Sequence, residues 1–364
     1  MKKNLTIVIP TYNMERYLER CLNSLIVSDE LMEKLEVLVI NDGSKDRSSE
    51  IAHSYEEKYP QTFRVIDKEN GNYGSCINRG LKEAKGKYIK ILDADDWFDT
   101  KNFEDFIKLL RVINCDGVIS DTQKVDLTGR LIKKDSFVFA PNTAYSFDEI
   151  MKLPFERIPM HCITYKTDNV RSIGYQQTEG ISYTDMEWIF LPMTTCNTIY
   201  YFPKIIYNYL VGREGQTMAP DIYKKSFGQE IKVLVSMINS FILFNSVDTA
   251  DTQYLLKLLT WHSRNIYLKF FLLFRMQVCN EDMAKADIIL CKFIPSVAEE
   301  LECLYRFQPI KYRYVKWWRK LNYPRTMYAF KLGMKLQDLK SRINTYSSFA
   351  YDKLLGVNAN NIMK

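Results

Sequence analysis

Tyr88-Ile89-Lys90-Ile91-Leu92-Asp93-Ala94-Asp95-Asp96 runs a short apolar stretch straight into a cluster of carboxylates. The apolar part has the length of a buried strand, and the residues just past such a strand are where open α/β sheets bind their ligands. The same arrangement recurs upstream. Residues 5–9 end in Pro10-Thr11-Tyr12-Asn13, and residues 35–40 end in Asn41-Asp42-Gly43-Ser44. A further strand is expected over 63–66. Between these runs, residues 16–26, 47–58, 75–85 and 102–112 place apolar side chains at helical spacing, with Ser44 and Asp46 positioned to cap the second helix. Strands alternating with helices predict an α/β, doubly wound, mainly parallel sheet, with three polar turns converging on one rim.

The pattern changes beyond residue 121. Polar, β-rich stretches such as 124–140 lead into a mixed segment broken by Pro154, Pro159, Pro192 and Pro203. From 223 onward the chain reads as helical, over 231–244, 255–274, 283–304 and 328–343. We therefore expect a first domain over 1–220, in halves 1–121 and 122–220, and a helical C-terminal domain over 221–364. The net charge of +6 is uneven. Residues 301–345 hold eleven Lys or Arg against Glu302 and Asp338, or +9, and 346–364 add +1, leaving about −4 on residues 1–300. No nucleic-acid-binding module accompanies the basic tail, so no nucleic-acid partner is expected. Eight cysteines stand singly without a Cys-x-x-Cys pair, which disfavours zinc knuckles and disulfide frameworks and fits a reducing cytoplasm. The first residues lack a signal-peptide pattern, and no run approaches eighteen uninterrupted apolar residues, so a soluble or peripheral protein is expected.

Two carboxylates one residue apart at a strand end can turn toward one hard cation, and magnesium or manganese held there keeps positions open for diphosphate oxygens. Asp95 is the expected direct ligand, Asp93 the partner of a ribose or a metal-bound water, and Asp96 a buttress. The same residues also suit an Asp-rich turn, because Asp99 and Thr100 lead into a helix near Lys101. Asp42 could accept a hydrogen bond from a pyrimidine imide or could serve an ordinary Asp-Gly turn. Tyr12 could stack on a base or merely close a strand. A glycine-rich phosphate loop after the first strand and a P-loop are both missing, so at a diphosphate site a metal must do what glycines do elsewhere.

Taken in order, residues 6–13, 39–46, the segment Asn70-Gly71-Asn72-Tyr73-Gly74 and residues 92–96 closely resemble family 2 glycosyltransferases of the GT-A fold, firmly over about 4–110 and less firmly to about 220. The resemblance implies that Pro10, Tyr12 and Asp42 hold the nucleoside, with Asn70 and Asn78 close by. It also implies that Asp93, Ala94 and Asp95 form the Asp-x-Asp motif that binds metal diphosphate. Ile77 stands where many relatives carry arginine. The family's inverting chemistry needs a general base, and within Tyr183-Thr184-Asp185-Met186-Glu187-Trp188 the matching residue is Asp185, with Glu187 the alternative. Asp185 could equally cap a helix over 186–191. Arg213, in Gly212-Arg213-Glu214-Gly215-Gln216-Thr217, could neutralise a leaving diphosphate or belong to a glycine-framed turn. His161 could touch a phosphate, though beside Cys162 and Ile163 it reads more readily as structural.

The implied reaction moves a sugar from a UDP-sugar donor to a saccharide or lipid-linked glycan with inversion, using Mn2+ or Mg2+, with 1–121 the nucleotide-binding half and 122–220 the acceptor-binding half. Its setting would be bacterial capsule, exopolysaccharide or cell-wall glycan synthesis. The aromatic and basic stretch 311–320 suits either the inner face of a cell membrane or a packed helix. A nucleotidyltransferase and a non-catalytic scaffold are the alternatives, separable by product analysis and by tolerance to loss of Asp95 or Asp185.

Overall fold

A computed structural model describes residues 3–213, 220–244, 249–304 and 313–327. Its strands are β1 (Lys3–Thr11), β2 (Leu35–Asn41), β3 (Phe63–Asp67), β4 (Gly86–Ile91), β5 (Trp97–Phe98), β6 (Gly117–Asp126), β7 (Leu131–Asp135), β8 (Thr143–Ser146), β9 (Ile163–Lys166) and β10 (Thr198–Val211). The α-helices are α1 (Leu18–Asn23), α2 (Asp29–Met32), α3 (Ser48–Lys58), α4 (Asn72–Glu83), α5 (Thr100–Val112), α6 (Phe147–Lys152), α7 (Thr167–Ser172), α8 (Asp185–Trp188), α9 (Pro220–Phe244), α10 (Ala250–Leu268), α11 (Asn280–Phe293), α12 (Pro295–Glu302) and α13 (Tyr314–Lys320). The four expected strands and the helices between them are present, each within a few residues of its expected bounds. The chain forms two compact units, Met1–Leu259 and Thr260–Lys364. The change to helix alone begins with α9, whereas the division between units falls inside α10.

In the first unit the sheet runs β3-β2-β1-β4-β9-β6-β10-β5, with β7 added to β6 and β8 to β10. β1 pairs parallel with both β2 and β4, and β2 pairs parallel with β3, so β1 is central and fully covered from Leu5 to Thr11. That burial on both faces is why residues 5–9 read as a continuous apolar run without alternation. Pro10 is tolerated in this central strand for a local reason. The carbonyl of Val8 accepts the N–H of Leu92 at 3.0 Å, so Pro10, two residues on, faces the same side, where β4 has already ended. Helix α4 lies close against β1, since a Cβ on Gly80 would stand 2.3 Å from Cγ1 of Val8.

The long strand β10 crosses to the sheet's far side, pairing parallel with β6 and antiparallel with β5, and so brings residues 207–213 beside the turn that follows β4. The window Ser226–Phe244 of α9 has the length and apolar character to cross a membrane. Within it Phe227, Ile231, Val233, Leu234, Met237 and Ile238 are buried, while Ile242 and Leu243 are exposed.

In the second unit the aromatic and basic stretch divides by helical face. Tyr314 and Trp318 are buried, with the Trp318 ring against Phe270, Phe271 and Tyr323. The Arg319 guanidinium grips the buried carboxylate of Asp287 through Nη2 at 2.7 Å and Nε at 2.9 Å. Arg313, Lys316, Trp317, Lys320 and Leu321 stay exposed. Lys311 and Tyr312 lie outside the described residues, as does the helix expected over 328–343.

Candidate active site

The turn after β4 is shaped by what holds each of its aspartates. Asp96 is a buried strut. Its Oδ2 accepts the Tyr207 hydroxyl at 2.7 Å and its Oδ1 accepts the Leu210 N–H at 2.7 Å, fastening the turn to β10. Burial, with Asp95 and Asp93 close by, pushes its carboxyl well above the usual range. Asp99, not this cluster, caps the following helix, accepting the Asn102 N–H at 2.9 Å. The helix-start reading of residues 93–96 is thereby set aside.

Asp93 and Asp95 are placed differently. Asp93 accepts the Tyr73 hydroxyl at 2.7 Å and has His161 Nε2 at 3.4 Å from its other oxygen, while its own N–H donates to the Tyr207 hydroxyl at 3.1 Å. Burial pulls its carboxyl upward, but His161 and the two tyrosine hydroxyls outweigh that and hold it below the ordinary value, hence ionised. Asp95 pairs with the Nε of Arg213, and its backbone carbonyl accepts Arg20 Nη2 at 3.0 Å. Its carboxyl is raised by burial and by Asp93, with Arg213 opposing. His161 sits on the 3-10 turn Met160–Cys162, and its ring packs edge-on against Tyr207 and Tyr209.

The other end of the cleft is built by the first two turns. Asn13, in the left-handed region at φ 54°, accepts the Lys45 N–H at 2.7 Å and donates its own N–H to Ser44 Oγ at 3.1 Å. Asp42 Oδ1 accepts Lys68 Nζ at 2.5 Å and the Gly71 N–H at 2.9 Å, while Asn70 Nδ2 donates to the Asp42 carbonyl at 2.9 Å. Tyr12 is 45% exposed at the mouth, free to meet a planar ligand.

These elements enclose one cleft of about 470 Å³. Pro10, Tyr12, Asp42, Asn70, Asp93, Ala94, Asp95, His161, Asp185 and Arg213 all line it, together with Tyr73, Ser182 and Tyr209. Asp185 opens α8; Thr184 precedes that helix without a side-chain cap. Its side chain is reached by solvent through the open cleft, yet cleft walls surround it. Burial and the nearby Asp93 raise its carboxyl above the ordinary value.

Two expected residues lie elsewhere. Asn78 is absent from the cleft lining and spends its amide on residues 177 and 179. Glu187, the alternative base, is 6% exposed, its two oxygens accept from Thr178 Oγ1 at 2.6 Å and the Thr178 N–H at 2.8 Å, and it does not line the cleft. Lys68, Tyr73, Tyr207 and Tyr209 went unread in the sequence. Tyr73 lies within the segment 70–74 that was singled out, but nothing local marks which tyrosine reaches a carboxylate.

Asp93, Asp96 and His161 bring ligand atoms within 4.8 Å of one another, and Asp95 stands outside that group. Of this cluster Asp93 and His161 line the cleft and Asp96 does not, while Asp95 lines it from outside the cluster and is paired with Arg213. Carboxylate oxygens with one imidazole are donors that suit a hard divalent cation.

Residues 6–171 match the model of Glycosyl transferase family 2. An uncharacterized glycosyltransferase of Mycoplasma genitalium is 26% identical over 242 residues, which are 65% of this chain and 79% of that protein. One from Mycoplasma pneumoniae is 40% identical over 101 residues, 27% of this chain and about a third of that protein, at 33%. The crystal structure of Staphylococcus aureus TarS 1–349 in complex with UDP-GlcNAc superposes with TM-score 0.58 at 21% identity, covering 82% of each chain. The likeness identifies the α/β fold with its curled sheet.

Proposed function

With residues 6–171 belonging to glycosyltransferase family 2, we propose that this enzyme transfers a sugar from a UDP-sugar to a saccharide or lipid-linked glycan with inversion at the anomeric carbon. The observation that carries the reading is the meeting of Asp42, Asp93, Asp95 and Asp185 in one 470 Å³ cleft, although they come from two strand ends and a distant helix. On this reading Asp42 receives the uracil, the exposed Tyr12 covers it, and Pro10 shapes the turn beneath. Asp93, Asp95 and His161 would hold Mn2+ or Mg2+, whose charge offsets that of the departing diphosphate. Arg213, already paired with Asp95, adds a fork of donors on the same side.

Asp185 takes the proton of the attacking hydroxyl. A carboxylate raised above its ordinary range is the better base for that task, and the raise follows from burial and the field of Asp93. The base stands on a different element from the diphosphate residues, and attack opposite the leaving group turns an α-linked donor into a β-linked product. In this account residues 1–121 bind the nucleotide, 122–220 the acceptor, and 221–364 form a helical C-terminal domain.

The protein works in the cytoplasm on capsule, exopolysaccharide or cell-wall glycan. Names among its relatives accord with this setting, since a minor teichoic acid biosynthesis protein of Bacillus subtilis is 36% identical over 104 residues, 12% of that protein. The exposed Arg313, Lys316, Trp317 and Lys320 would meet an anionic bilayer face. The direct test measures UDP release from UDP-glucose, UDP-galactose, UDP-GlcNAc and UDP-GalNAc with and without Mn2+. Release from at least one donor, stimulated by Mn2+ and lost in Asp95→Asn, is expected. Activity unchanged by that substitution would overturn the reading.

A further inference from the structure

We propose that residues 177–184 form a strap that positions Asp185, and that Asn78 and Glu187 are the positioning residues that fix it; this rests on the reading of Asp185 as the base. Each end of the strap is held by a group suited to that task. The Asn78 amide meets the backbone of Gln177 twice, accepting its N–H at 2.7 Å and donating to its carbonyl at 2.9 Å, and also donates to Glu179 Oε1 at 2.9 Å. Only an amide offers a donor and an acceptor side by side, so aspartate cannot replace it. Glu187, two residues beyond Asp185 on the same short helix, takes both the N–H and the hydroxyl of Thr178. The buried Gln177 then closes the strap, donating from Nε2 to the Thr184 carbonyl at 2.7 Å, immediately before Asp185.

The strap also reaches the nucleotide end. Gly180 donates its N–H to the Gly71 carbonyl at 2.9 Å, and the Gly71 N–H is the one that Asp42 receives. Helix α4 touches the strap so closely that a Cβ on Gly74 would stand 2.1 Å from the Thr178 carbonyl oxygen. Ser182, which lines the cleft, donates its backbone N–H to Gln229 Oε1 at 2.9 Å. A carboxylate on a four-residue helix has little rigidity of its own, so its aim is set by these bonds.

The test compares Asn78→Asp, Glu187→Gln and Asp185→Asn with the parent chain, using the best UDP-sugar of the four-donor panel with Mn2+ and water as acceptor. Hydrogen exchange over residues 177–188 is followed in parallel. Asn78→Asp and Glu187→Gln are expected to lower kcat by about 10- to 100-fold. The donor KM and the Kd for UDP should stay within about twofold, the acid limb of kcat should move to lower pH as Asp185 swings away from Asp93, and exchange over 177–188 should quicken. Retention of parent kcat, pH profile and exchange by both variants would overturn the strap. So would equal losses of kcat, UDP binding and thermal transition, the mark of general misfolding. An active Asp185→Asn chain would instead sink the base assignment alone. Where no donor turns over, the exchange comparison still decides whether the strap is held as described.

Discussion

Replacing Tyr207 by Phe removes one oxygen and should loosen the whole aspartate turn. The ring is fully buried between Phe98, with centroids 5.7 Å apart, and His161 at 4.8 Å, and Phe keeps that packing. What is lost is the 2.7 Å bond to Asp96 and the acceptor for the Asp93 N–H at 3.1 Å. With the Asp96 carboxyl pushed toward its neutral form, the hydrogen bond contributes about 0.5–1.5 kcal/mol, and a buried donor left without a partner costs about 1–3 kcal/mol. Partial relaxation of the turn places the net loss near 2–3 kcal/mol. Since ~1 kcal/mol shifts Tm by roughly 2–4 °C in a domain of this size, the first unit should melt about 4–12 °C lower. Urea unfolding followed by tryptophan fluorescence gives the free energy and differential scanning fluorimetry the shift. A loss below about 0.5 kcal/mol would mean that the hydroxyl does not hold the turn, and the view of Asp96 as a strut would fail.

Asp42→Asn preserves shape while removing the charge that Lys68 and the Gly71 N–H hold in place, and isothermal titration should show UDP binding about tenfold weaker, near 1.4 kcal/mol; unchanged affinity would remove Asp42 from the nucleoside site. The kcat profile should fall on the acid side through an apparent pKa above the ~3.9 of an ordinary aspartate, because burial and Asp93 raise Asp185 and the base form is lost as pH drops through that raised value. A limb at or below the ordinary value would contradict the assignment. The same sign has a stability consequence: a raised carboxyl opposes folding when ionised, so Asp185→Asn should hold or raise Tm near pH 7 while turnover is lost.

Much of the first unit was legible because its signals are local. The run 5–9 is apolar on both faces since β1 lies between β2 and β4, and the turns after β1, β2 and β4 carry polar residues because they form the rim. The Asp-x-Asp turn and Asp185 could be placed by order along the chain. Partners of those residues could not. Nothing near Tyr207 in sequence tells that β10 returns beside β4 and lends its hydroxyl to Asp96, 111 residues away. His161 reads as structural beside Cys162 and Ile163, and only the fold puts its ring by Asp93. The family resemblance puts Asn78 near the nucleotide and Glu187 near the base, whereas in the fold both side chains bond to residues 177–179, a pairing that spans 99 residues for Asn78. In the tail, helical spacing allowed two faces for Tyr314, Trp317 and Trp318, and burial separates them.

If Asp185 drives attack on the face opposite the departing diphosphate, the anomer released at early times carries the inversion. The four UDP-α-sugars are incubated with the protein and Mn2+ in D2O, and the first product is read by proton NMR before mutarotation. The β-anomer should appear first, and Asp185→Asn should release neither anomer. An α-anomer as first product, or the same β-anomer at parent rate from Asp185→Asn, would contradict that role of Asp185.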